Sequence, residues 1–202
     1  MDTVHYISSD VISLELLQEI ITEHKTLALS EEARLNIEKC RAYLDNKMQT
    51  HNEPIYGINT GFGSLCDVKI SNENLSRLQE NLVKSHACGT GDEVPHEIVK
   101  IMLLLKIKSL SFGHSGVQLQ TVERLIDFYN HDILPVIYSQ GSLGASGDLA
   151  PLAHLSLPLL GEGEVFADGF RQPAKKVLEK MGWEPIVLQS KEGLALLNGT
   201  QF

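Results

Sequence analysis

Between Ile98 and Leu110, the side chains of Ile101, Met102, Leu103, Leu104, Leu105 and Ile107 cover nearly the whole circumference of a helix. A helix that is apolar all round must be wrapped by other elements, so this segment is expected at the centre of the fold. Lys100, Lys106 and Lys108 interrupt the run, and each must reach solvent or a partner.

The flanking segments supply the wrapping. Ser30 followed by Glu31 and Glu32 reads as a helix start, with acidic residues at the positive end of the dipole. Ala33, Ile37, Cys40 and Leu44 then mark one face. Ser71 opens a second helix whose stripe is Leu75, Leu78, Leu82 and Val83, ending near His86 with Gly89 or Gly91 as the stop. Val117, Leu119, Val122, Leu125, Ile126 and Tyr129 give a third, which must end before Pro135. Asp168-Gly169, within the stretch from Glu164 to Arg171, is a hairpin signal and the only expected sheet-like excursion. The fold class is therefore mainly α with a small β-hairpin, and no repeat or low-complexity linker divides it.

Composition removes several function classes. With 17 Lys and Arg against 26 Asp and Glu, the formal net charge of -9 disfavours nucleic acid and anionic membranes as partners. No apolar run reaches the ~18 residues of a membrane span, and the N-terminus lacks a signal-peptide pattern. A cytoplasmic location is the expectation. Cys40, Cys66 and Cys88 lie far apart, which suits reduced thiols rather than a disulfide framework or zinc ribbon. His51, His96, His114, His131 and His154 show no metal-ligand spacing, so no metal is expected. His154, on an apolar helix face, reads as a satisfied core residue.

The chemistry concentrates in Gly141-Ser142-Leu143-Gly144-Ala145-Ser146-Gly147-Asp148-Leu149-Ala150-Pro151. By composition this is a Gly-Ser loop between apolar segments. A serine-nucleophile elbow would need G-x-S-x-G, but Asp148 stands where the last glycine belongs. A third reading uses the order Ala145-Ser146-Gly147. The Gly147 nitrogen, uncrowded by a Cβ, can close onto the Ala145 carbonyl carbon as a five-membered imidazolone. Loss of the Ser146 hydroxyl then leaves an exocyclic methylidene, an electrophile that no ordinary side chain supplies. Asp148 would cap the following helix or hold the loop compressed, Pro151 is tolerable in that first turn, and the positive helix end would face the electrophile.

The run continuing through Asp148-Leu149-Ala150-Pro151-Leu152-Ala153-His154-Leu155 resembles the aromatic amino acid ammonia-lyases. Their electrophile, 4-methylidene-imidazol-5-one (MIO), forms from this same tripeptide. Tyr56, in Tyr56-Gly57-Ile58-Asn59-Thr60-Gly61-Phe62-Gly63, matches the family's tyrosine loop, which implies a catalytic base. Read alone, it is a tyrosine packing a Gly-rich turn. A phenol with a reference pKa of about 10 would need a positive environment to act as a base at neutral pH. The glycine spacing there is not that of a dinucleotide turn, so no nucleotide is implied. The loop would instead lie over substrate, with Asn59 in polar contact.

His86 at a helix C-terminus ordinarily complements the dipole. The resemblance makes Ser85-His86 the lining for the substrate side chain, in a combination typical of the histidine-specific branch. Asn198, ordinarily a helix C-cap before Gly199, matches an asparagine that hydrogen-bonds near the MIO. Lys106 and Lys108 depart from the family, where arginine and asparagine often stand.

The resemblance covers nearly the whole chain. It implies elimination of ammonia from L-histidine to give trans-urocanate, with no metal and an MIO built from Ala145, Ser146 and Gly147. The alternatives are a tyrosine or phenylalanine ammonia-lyase, a related aminomutase, or a catalytically inert folding or interaction fragment. Family members are homotetramers whose sites combine subunits and which continue as a long helical bundle. Residues 1–202 are accordingly expected to be the N-terminal, MIO-bearing domain without that bundle.

Overall fold

The structure, a computed structural model, describes residues 3–50, 53–61, 68, 70–142 and 147–202. The apolar segment forms α4 (His96–Ser111), in which Val99, Met102, Leu103, Leu104, Ile107 and Leu110 are all buried. Its lysines each find partners. Lys100 pairs with Asp132, Lys108 donates to the Ser8 carbonyl, and Lys106 is fully buried.

Around α4 pack α2 (Glu31–Thr50) and α5 (Leu119–Asn130). The Ser30 hydroxyl accepts from the Ala33 N–H at 3.1 Å, the N-cap its sequence implies. Ala33, Ile37 and Leu44 are buried, as is Arg41, which donates to the Gly116 and Ser190 carbonyls at 2.7 and 2.9 Å. A second layer contains α3 (Asn72–His86), α6 (Leu149–Ser156) and α8 (Glu192–Leu197), which contact one another. The remaining helices are α1 (Leu14–Thr22) and α7 (Ala174–Met181).

The expected hairpin is present as β6 (Glu164–Ala167) and β7 (Phe170–Pro173). Asp168 and Gly169 both adopt positive φ, 56° and 85°, as a tight primed turn requires. The hairpin is not the only sheet-like element, which corrects the sequence reading. β1 (Val4–Ile7) pairs in parallel with β2 (Thr26–Leu29) across α1. β3 (Thr90–Glu93) pairs with β5 (Tyr138–Gln140), and β4 (Leu134–Pro135) extends the hairpin sheet. These strands are too short to show a period and are defined by partners remote in sequence.

Among the described residues, no helix is long and apolar enough to cross a membrane. No group of three His, Cys, Asp or Glu side chains among them is placed to hold a metal.

Candidate active site

Helices α3, α6 and α8 meet on a small apolar cluster of Leu82, Ala153 and Leu197. Above it opens a cavity of about 540 Å³. Tyr56 reaches it from the loop at residues 53–61, His86 from the last turn of α3, and Asn198 from the end of α8. Leu149, the first residue of α6, lines the same space two positions after Gly147. Residues far apart in sequence thus converge beside the end of the tripeptide.

Each is held differently. Nδ1 of His86 lies 2.8 Å from the Leu82 carbonyl oxygen, which can only accept, so Nδ1 carries the proton. Nε2 is then the acceptor of the neutral ring. The Ser85 hydroxyl also donates to that carbonyl, at 3.1 Å. Asn198 is the C-cap of α8, and its side-chain amide donates to the Leu194 carbonyl at 2.9 Å. Tyr56 is 59% exposed.

Asn59 is not brought to the cavity. It is buried, its Oδ1 accepts from the Ile55 N–H at 2.6 Å, and its Nδ2 donates to the Glu53 carbonyl at 3.1 Å. Both ends of the amide thus hydrogen-bond within the loop that presents Tyr56. Phe62 and Gly63 of that loop, and Cys66, lie outside the described residues.

Ala145 and Ser146 also lie outside the described residues, whereas Gly147 is described. Gly147 has φ +91°, and a Cβ built there would stand 2.2 Å from the Gly199 carbonyl oxygen. Only glycine fits. The Asp148 N–H donates to that same carbonyl at 2.8 Å. Asp148 occupies the N-cap position of α6 but makes no side-chain cap bond. Its carboxylate instead accepts from the Ser142 hydroxyl at 3.4 Å and the Phe202 N–H at 3.1 Å. Ser142 also lies 3.3 Å from the Gly147 carbonyl oxygen. Of the two roles its sequence offered Asp148, loop fastening is the one its side chain performs. These residues fit an MIO made at 145–147, because they demand glycine at 147 and draw together the two ends of the loop.

Lys191, which no motif marks, and His114, noted in the sequence only as a histidine without metal-ligand spacing, line the cavity as well. Lys191 donates to the Ser115 carbonyl at 2.6 Å, and burial, as the main cause, holds its pKa below the ordinary lysine value. No local pattern marks either residue. His154 is satisfied but half-buried rather than a core residue: its Nε2 accepts the Gly89 N–H at 2.9 Å and Tyr138 packs edge-on against its ring.

The fold is thus mainly helical, with tyrosine, histidine and asparagine around a cavity near Gly147. A sequence model of the family described as aromatic amino acid lyase matches residues 12–202, and the chain belongs to that family. It is 46% identical over 195 residues to a histidine ammonia-lyase of Myxococcus xanthus, covering 96% of this chain and 38% of that one. With the Bacillus subtilis histidine ammonia-lyase it shares 50% identity over 182 residues, 90% of this chain and 36% of the relative. The solved histidine ammonia-lyase of Trypanosoma cruzi superposes with a TM-score of 0.86 at 37% identity, covering 98% of this chain and 38% of that structure. A tyrosine aminomutase from Streptomyces globisporus gives a TM-score of 0.88 at 33% identity, covering 97% and 36%. The chain therefore spans little more than a third of the length of these curated relatives.

Proposed function

We propose that residues 1–202 are the N-terminal, electrophile-bearing part of a histidine ammonia-lyase, which converts L-histidine to trans-urocanate and ammonia. The observation that carries this reading is the convergence of Tyr56, His86 and Asn198 on one cavity next to Gly147. The greater sequence identity to histidine ammonia-lyases than to the tyrosine aminomutase favours histidine as substrate.

Ala145, Ser146 and Gly147 would form the MIO, which supplies an electrophilic carbon that takes the substrate amine and makes it a better leaving group. The chain's own residues do the rest. Tyr56 is the base that removes the β-proton. Nε2 of His86 accepts from the imidazole N–H of the substrate, and Asn198 orients the reacting end. Asn59 acts on catalysis through the loop it fixes.

The working enzyme on this reading is a cytoplasmic homotetramer, whose remaining length encloses Tyr56. The chain of 202 residues alone leaves that side chain 59% exposed and is expected to be inactive. Intact mass of the protein at the full length of its relatives tests the reading. A deficit of two waters that disappears in Ser146→Ala supports it, as does faster turnover of histidine than of tyrosine. Preference for tyrosine would overturn the substrate, and an unmodified mass would overturn the electrophile.

A further inference from the structure

Lys106 lies on α4 with no exposed surface, in the core beneath the cavity. Its Nζ donates to the carbonyl oxygens of Ala195 at 2.8 Å and Asn198 at 2.9 Å. Among the described residues, no carboxylate pairs with it. Burying an ammonium without a counter-ion is costly, and a methionine or leucine would fill the same volume without that cost. What the lysine adds is a pair of donors on the last carbonyls of α8, groups that a helix end leaves without partners. Burial brings its pKa down to about 7. A neutral amine has two N–H donors, and these match the two carbonyls.

The contact continues to the tripeptide. Asn198, whose carbonyl Lys106 holds, lines the cavity with its side chain. The next carbonyl, that of Gly199, accepts the Asp148 N–H and packs where a Cβ of Gly147 would stand. Gly147 and Gly199 are joined by a parallel bridge. We propose that Lys106 is the positioning residue for electrophile formation, holding the Asn198–Gly199 peptide from the core so that this peptide fixes the backbone of Gly147. The inference rests on the reading that residues 145–147 cyclise. In that step the Gly147 nitrogen bonds to the Ala145 carbonyl carbon, whose oxygen leaves as water with the amide hydrogens of Gly147 and Ser146. The Ser146 Cα hydrogen and hydroxyl leave as the second water. No oxidant is needed.

The experiment compares wild type, Lys106→Met, Lys106→Arg and Ser146→Ala at the full length of the relatives, by intact mass, circular dichroism and thermal unfolding. Wild type two waters lighter than its sequence, with Ser146→Ala retaining that modification site unreacted, establishes that cyclisation occurs. Failure there sinks the underlying reading and not the role of Lys106 within it. Given cyclisation, folded K106M should show at least a tenfold smaller dehydrated fraction, and K106R, which keeps N–H donors, should restore most of it. A folded K106M dehydrated to the wild-type extent overturns the proposal, as does loss in K106M that K106R does not rescue. Should K106M fail to fold, K106Q takes its place: a reduced dehydrated fraction supports the role and a wild-type fraction overturns it.

Discussion

A phenol, an imidazole and an amide share the cavity, and each can be removed without disturbing the core. Tyr56→Phe deletes only the hydroxyl of an exposed ring, so the two-water mass deficit should persist while kcat on histidine falls by roughly 10²–10⁴, the usual range for losing a positioned base. Steady-state rates beside intact mass separate this outcome from failed cyclisation. His86→Leu removes the acceptor for an imidazole N–H and leaves an apolar wall. Its kcat/KM for histidine should drop about tenfold or more, equivalent to about 1.4 kcal/mol, with the histidine-to-tyrosine ratio falling too. An unchanged ratio would remove His86 from substrate recognition. Tyr56, His86 and Asn198 were legible in the sequence because they sit in stretches long enough to carry a family resemblance. Lys191 and His114 were not, since their role comes only from which cavity they line. The bonds Asn59 makes within its own loop were not legible, because a polar residue there reads equally well as facing outward.

Element placement depends on a few buried polar anchors. The fully buried Glu192 accepts from the Gln118 N–H at 2.9 Å, the Gln118 amide at 2.6 Å, the Thr121 hydroxyl at 2.7 Å and the Gln189 N–H at 2.7 Å. It thereby ties the start of α8 to α5. Glu192→Ala strands several of these donors and should cost roughly 3 kcal/mol, read as a lower denaturant midpoint. His154 links α6 to the turn after His86, and burial holds its pKa below the ordinary histidine value. Its contribution to stability is thus complete above the unfolded histidine value of about 6.5 and is lost progressively as pH falls from there through the lower folded value, because the unfolded chain takes up the proton first. His154→Gln keeps an acceptor for the Gly89 N–H without titrating. The stability difference between wild type and variant should therefore shrink or invert on acidification, and a pH-independent difference would contradict the link. The helices were legible because stripes such as Ala33, Ile37 and Leu44 repeat on one face, and the hairpin because Asp168-Gly169 names its own turn. The pairing of Val4–Ile7 with Thr26–Leu29 was hidden, since neither four-residue strand carries a period or a turn between them.

The described residues form two apolar clusters of unequal size, a large one threaded by α4 and a small one of Leu82, Ala153 and Leu197 under the cavity. The apolar circumference of α4 anticipated the first, while the second required knowing that α3, α6 and α8 meet. This division predicts how truncations propagate. Leu103, with no exposed surface, belongs to the large cluster, and Leu103→Ala should cost about 3 kcal/mol through lost burial and the cavity left behind. Because α4 touches both α2 and α5, that loss should lower one cooperative unfolding transition and accelerate amide exchange throughout. Leu82→Ala removes a side chain 8% exposed from a cluster with few partners, so its global cost should be smaller. Exchange should instead quicken selectively in α3, α6 and α8, the helices that carry His86, follow Gly147 and end at Asn198. The dehydrated fraction seen by intact mass should fall with it, whereas Leu103→Ala that remains folded should still cyclise. Equal exchange effects across α4 and α8 in both variants would mean that the cavity helices are not a separable unit.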